Sequence, residues 1–585
     1  MSFAQLRDAK LDDLDAAWRG WRKTVERLEQ AEDAYNGKFL QGIRGSGWQG
    51  QDAQAALRTL VPAKTRIRVA AAEAAAIASV INTGQRRFKR AQLKLTFAIS
   101  SAQSEYLRVG DDGSISFPDA LPPRYSSWQE LQQAARRIQG RFELAIKEAT
   151  EADTQIAHTL RDLGPNVLDS KNPQAGVHKD ALLAAKMAGF EASNVPPVNA
   201  KDPSAIASWW KGLPEEQRHL LMNAFPEKIG WLNGIPSEDR DEANRTHVNT
   251  RIAELQAKED YLSKAEQRDL KRLTDLDKAI SAYEAKGKDM YVLGLDITTM
   301  DPAELRDGQG SDGRAIVAFG NPDTAKHSAV YVPGTADNID KLGGVLNRAF
   351  NLNEATGMFT DGSVSTVAWL GYDTPDDMVK DAPFGNYADA GGAKLNDFVD
   401  GIRETQSEAG NGGAHMTAVG HSYGSTVIGE AARHEVDRLS VDDIVVAGSP
   451  GMRVEKAADL GIGSDHVWVQ EARGEAISLG RLGHGGGYFP GPPNAPSDED
   501  FGAQRLATDG QGHSDYWKDK PRVDHADPRH PADDRYTFGR PSLSLEQQAR
   551  VIAGTHADGD LSNDPIRYGQ GGPQESKETW WQRLL

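Results

Sequence analysis

The sequence predicts an α/β fold, a mostly parallel sheet flanked by helices, preceded by an all-α helical bundle. Three observations predict it. Apolar residues recur at helical spacing through positions 1–165, the mark of helices with one buried face. From Met290 onward, short apolar runs alternate with helical stretches, which calls for a sheet covered on both faces. Glycine-rich turns follow several of those runs, at the strand ends where such sheets bind ligands. The chain has 585 residues. At roughly 100–200 residues per domain, the reading is a helical bundle over 1–165, a helical connector over 166–285, an α/β domain over 286–535 and a C-terminal tail over 536–585.

In the bundle, Leu11, Leu14, Trp18, Trp21, Val25 and Leu28 alternate steps of three and four, a heptad seam on one helix. The pattern lapses near Asn36-Gly37. A second run after Gly47 carries Leu57, Leu60, Ile67, Ala70, Ala74, Ile77 and Ile81, and a third, Phe88 to Leu107, reads as separate or as its continuation. Asp111-Asp112-Gly113 makes a turn. A last helix starts at Ser126 or Ser127, where Ser127 and Glu130 fit a capping box, and Gly164-Pro165 stops it. Between the first two helices, Trp48-Gln49-Gly50 resembles the WXG-type hairpins of type VII secretion. That resemblance implies a small helical partner or the secretion machinery. The other reading is a tryptophan beside a glycine-rich loop, and no Tyr-x-x-x-Asp/Glu signal follows the hairpin.

The net charge of −18 argues against a nucleic-acid surface, which needs a basic footprint, although Arg86, Arg87, Lys89 and Arg90 form a local basic patch. There is no cysteine, so disulfides, thiolate nucleophiles and Cys-ligated metals are excluded. The absence fits a cytoplasmic protein and an exported one alike. No signal peptide and no transmembrane segment is legible. No metal or nucleotide motif appears, and no cofactor is implied.

In the connector, Lys179–Gly189 fits a helix, Pro196-Pro197 a break, Ile229 to Pro236 a compact turn, and 239–283 charged helices. The strands then follow in order: 290–296 and 314–319, read as a hairpin, then 327–332, 365–370, 415–419, 443–447 and 466–470. Helices fit 341–354, 391–409 and 425–437 between them.

After the fifth strand comes Gly420-His421-Ser422-Tyr423-Gly424 and then a helix. This is the strand–turn–helix context of the Gly-x-Ser-x-Gly nucleophile elbow, so the expected fold is that of an α/β hydrolase with Ser422 as nucleophile. The two glycines serve a turn too sharp for side chains. A helix N-terminus under the serine favours a developing negative charge. Backbone donors for that charge are expected from Tyr423 and, in the loop after the third strand, from Thr335 or Ala336. His484-Gly485-Gly486-Gly487 spells a lipase oxyanion motif but lies on the wrong side of the elbow.

In this fold the order is serine, acid, histidine. His513 fits the late position, ahead of His484, His525 and His530; His421 and His434 sit beside the elbow and on the following helix. For the acid, Glu475 in the turn after the seventh strand is favoured, with Glu471, Asp498 and Asp500 open.

The segments Tyr331-Val-Pro-Gly-Thr335, Gly420 to Gly424, Ala447-Gly-Ser-Pro-Gly451 and Gly512-His-Ser-x-Tyr516 resemble an actinobacterial α/β-hydrolase domain of unassigned function. The resemblance covers roughly Met290 to Pro521, and Ile229 to Pro236 with Arg240 and Ala243-Asn244-Arg245 is similar to the piece that often precedes that domain. It implies a Ser-Asp-His triad with the acid in a Gly-Asp turn; here the turn reads Gly474-Glu475, a departure at the acid. The expected chemistry is hydrolysis of a small-molecule or lipid ester. Thioesterase, peptidase and acyltransferase activities share the same triad. A secretion-linked effector and a non-catalytic interaction protein are the alternatives.

Overall fold

The computed structural model describes residues 1–40, 51–164, 173–197, 200–258, 261–297, 313–376, 385–433, 438–472, 495–510, 512–524 and 535–555. Trp48-Gln49-Gly50 lies outside them. The chain forms two compact units, Met1–Val195 with Leu213–Pro226, and Pro196–Gly212 with Glu227–Leu585. The connector expected over 166–285 is thus shared between the two. Among the described residues, no helix is long and apolar enough to cross a membrane.

The first unit is helical: α1 (Phe3–Arg7), α2 (Asp12–Ala34), α3 (Gln51–Ser104), α4 (Trp128–Asp162) and α5 (Pro173–Ala188). The second and third apolar runs are one helix that continues through Gly84, where a Cβ would stand 2.4 Å from Ile156 of α4, so this glycine serves close helix packing and does not break the helix. Of the heptad seam, Val25 is buried against Ala74 and Ala75, whereas Trp21 is exposed. Asp111-Asp112-Gly113 turns between two short paired strands. Ser127 caps α4 by accepting the Glu130 N–H, but the Glu130 carboxylate takes the Ser126 N–H instead of closing a box with Ser127.

The second unit contains α6 (Pro203–Gly212), α7 (Ser237–Ala257), α8 (Lys264–Glu284) and the strands β1 (Met290–Asp296), β2 (Arg314–Phe319), β3 (His327–Val332), β4 (Val364–Leu370), β5 (His415–His421), β6 (Asp443–Ala447), β7 (Val467–Gln470) and β8 (Gln504–Arg505). Their order is β8-β7-β6-β5-β3-β4-β2-β1. β2 runs against both neighbours, and every other pairing is parallel. The expected hairpin is present, with Met290 opposite Phe319. Helices α9 (Leu342–Thr356), α10 (Asn386–Glu408), α11 (Tyr423–Ala432) and α12 (Leu543–Ile552) cover the sheet. The strands are apolar on both sides, and the two faces pack into two separate cores.

The outer edge of β1 is closed by side chains. Asn244 donates to the Val292 and Gly230 carbonyls at 2.8 and 3.0 Å, and Asp241 accepts the Val292 N–H at 2.7 Å. Arg240 reaches the Leu293 carbonyl, Arg245 the Met290 carbonyl and Trp231 the Leu295 carbonyl. The motif that precedes the sheet is therefore part of it. The C-terminal tail expected from 536 is a correction: α12 buries Leu545, Ala549, Val551 and Ile552 in one of the sheet's two cores. Their apolar spacing outweighs the charged stretch before them.

Candidate active site

The elbow is built by close approaches. A Cβ at Gly420 would stand 2.9 Å from the Ser425 backbone, and one at Gly424 would collide with the Val332 carbonyl. Between them Ser422 takes φ +51° and ψ −125°, a region L-residues rarely enter. It is 4% exposed and begins α11. Its N–H donates to the Ala447 carbonyl at 3.0 Å, and its carbonyl accepts from the Ser425 hydroxyl at 2.6 Å. Ser425 in turn meets Ser449 at 2.6 Å. The Ala447 to Gly451 segment is thus the cradle of the elbow.

The loop after β3 lies against the nucleophile. A Cβ at Gly334 would sit 2.7 Å from the Ser422 Cβ and 3.4 Å from its Oγ. That loop is pinned from behind. Tyr372 donates to the Pro333 carbonyl, Thr374 to the Asp337 carbonyl, and the Ala336 N–H donates to the Pro375 carbonyl, each at 2.8 Å. Ala336 is therefore a correction as an anion donor: its N–H is already engaged. The Thr335 N–H has no acceptor among the described residues. Tyr423 opens α11, where backbone N–H groups lack helical partners.

His513 stands on the loop after β8. Its carbonyl accepts from Nε2 of His421 at 2.8 Å, and the two rings are 4.7 Å apart. Its own Nε2 is shielded from solvent. The contact assigns His421 the Nε2–H tautomer, and burial, then His513 and Arg348, hold its pKa well below the usual imidazole value. His421 is the residue that sequence reasoning missed. It neighbours the nucleophile and grips the backbone of the late histidine. Trp517 packs edge-on against it, 4.8 Å away, and donates to Gln548 of α12 at 3.0 Å. Tyr516 accepts the Ala472 N–H at 2.8 Å, which ties the exit of β7 to the same loop.

Glu475, His434, His484 to Gly487, His525 and His530 lie outside the described residues. Glu471 follows β7 and is half-buried. Asp498 closes a local turn by accepting the Ala495 N–H at 2.9 Å, and Asp500 is exposed. One trio among the described residues has side chains suited to a metal, Glu29, Glu215 and His219 in the first unit. Within it His219 pairs with Glu29, and hydrogen bonding to Glu29 with burial raises the Glu215 pKa.

A family model described as alpha/beta hydrolase matches residues 307–479, which contain β2 to β7 and the elbow. An uncharacterised protein of Mycobacterium tuberculosis is 29% identical over 406 residues, 63% of this chain and 58% of its own length. An uncharacterised protein of Mycobacterium bovis is 29% identical over 212 residues, 34% of this chain and 77% of its own length. The chain thus spans 58% of the length of the first of these relatives. No solved structure matches. Strand order, elbow and matched segment agree that the second unit has the α/β-hydrolase fold.

Proposed function

We propose that this chain is a serine hydrolase that cleaves carboxylic esters, lipid esters among them, through Ser422, His513 and an acid from the connection after β7, Glu475 first. The observation that carries the reading is the backbone of Ser422, φ +51° in a buried turn beneath the Gly334 loop. A strained, non-glycine residue at the head of a helix is costly and persists where function needs it. In this reading His513 takes the proton from the Ser422 Oγ as that oxygen attacks the ester carbonyl. The oxyanion is held by the N–H groups of Tyr423 and Thr335. The intermediate collapses, and the alcohol leaves with the proton from His513. Water, activated by the same imidazole, then releases the acid. The carboxylate fixes the imidazole tautomer and stabilises its charged form.

The test is a fluorophosphonate probe followed by a p-nitrophenyl ester series of increasing acyl length. Labelling confined to Ser422, absent in Ser422→Ala and strongly reduced in His513→Ala, is the expected result. A folded protein that takes no label and turns over no ester refutes the reading.

A further inference from the structure

The same rim of the sheet carries a second concavity, displaced along the strand order from Ser422. β1 ends there at Asp296, β2 begins there at Arg314, and β4 leaves it through Gly371. With Trp231, and with Lys394 and Phe398 of α10, they enclose a cleft of about 640 Å³. That is the size of a small-molecule site.

One buried polar atom of the lining has no partner among the described residues, and one exposed cation stands beside it. The Trp369 indole is 1% exposed, and its Nε1 finds no acceptor. A Cβ at Gly371 would stand 2.8 Å from that nitrogen, so the N–H edge lies directly under a wall that lacks a side chain. Buried donors in native proteins are nearly always satisfied, so this one calls for an explanation. Lys394 stands at the solvent-exposed side of the cleft and makes no ion pair among the described residues. Partial desolvation, then the charge of Arg314, hold its ammonium below the usual lysine range, while the carboxylates of Asp373 and Asp296 act the other way. Apart from the exposed Glu227, the other charged side chains of the lining have partners. Arg314 is paired with Asp296 at 2.6 Å and lies 4.9 Å above the Trp231 ring. Lys228 and Asp397 have partners of their own, and Glu227 is at the exposed lip. Trp231 and Phe398 supply apolar wall. The Trp369 ring also stacks on Tyr372, 5.9 Å away, whose hydroxyl holds the Pro333 carbonyl behind Ser422.

We propose that this cleft binds a carboxylate on an apolar chain, its head group between Lys394 and the Trp369 N–H and its chain along Trp231 and Phe398. A carboxylate accepts from both donors, and a neutral chain of equal length satisfies neither charge nor desolvation. The ligand is of the class that ester hydrolysis releases, but its binding does not require that Ser422 react.

The test is calorimetric titration of the full chain with decanoate, decanol and acetate. Decanoate is expected to bind the unaltered protein and Ser422→Ala equally. Decanol and acetate should bind at least tenfold more weakly. Lys394→Met should weaken decanoate at least tenfold while leaving decanol and fluorophosphonate labelling unchanged. Absence of decanoate binding, indifference to Lys394→Met, equal binding of decanol, or loss of binding once Ser422 is phosphonylated each overturns the proposal. Labelling of Ser422 is read separately, so failure of the hydrolase reading is distinguishable from failure of this one.

Discussion

Ser422 carries the strain of the elbow alone, because the glycines on either side answer a different need, the absence of a side chain. A non-glycine residue in such a conformation costs about 1–3 kcal/mol. Ser422→Gly is therefore expected to be more stable than Ser422→Ala by about 1 kcal/mol, after the extra unfolded-state entropy of glycine is counted. Denaturant midpoints of the two inactive variants check this, and equal midpoints sink it. His421 makes a second prediction at this scale. It touches no reacting atom and acts by holding the His513 carbonyl. His421→Phe should lower kcat about tenfold or more, the equivalent of about 1.4 kcal/mol in the barrier. His421→Gln, which keeps an N–H donor, should recover part of it with KM little changed. A merely structural role would lower stability in both variants and leave kcat per folded molecule unmoved. The elbow was legible in the sequence because its constraint falls on residues two apart. The His421 clamp was not, because its partner is a backbone carbonyl 92 positions on, which leaves no mark on residue type. The same blindness hid the Ala336 N–H bond to Pro375.

Among the elements, β1 to β7 were legible as short apolar runs bounded by turns, with ends shifted by a residue or two. β8 was not, since its Gln504 and Arg505 carry no apolar signal and pair only through backbone. Helix α12 was obscured by the charged stretch before it. Within this layer the pairing of α7 with β1 is the most testable feature. Asn244→Ala removes one donor from two buried carbonyls, Val292 and Gly230. An unsatisfied buried acceptor costs about 1–3 kcal/mol, so chemical denaturation should show a loss in that range, with Ser422 labelling of the folded fraction retained. A loss under about 0.5 kcal/mol would mean that water replaces the amide.

The α/β unit as a whole is knotted at the strand ends opposite the nucleophile. Asp443, fully buried at the start of β6, accepts from His415 at 2.8 Å and Trp468 at 2.8 Å, and His415 also meets the Ile552 carbonyl at 3.0 Å. Burial alone would lower the His415 pKa, but the Asp443 and Ile552 hydrogen bonds raise it above its ordinary value. A raised folded-state pKa gives stability that is fully present below the unfolded value of about 6.5 and is lost as pH rises through the folded value. Unfolding midpoints should therefore fall as pH climbs through that window, and Asp443→Asn should flatten the fall. An unchanged slope in the variant would assign the pH dependence to other groups.

The sheet has two borders, and both are shut: β8 offers two residues, and the far side of β1 is already spoken for by α7. Among the described residues, the borders of this sheet offer a neighbouring copy no long run of bare peptide groups on which to lay a strand of its own. Strand addition at the β1 border thus has to wait for the outer helix to peel away. Heat-induced association through this border should consequently track detachment of that helix.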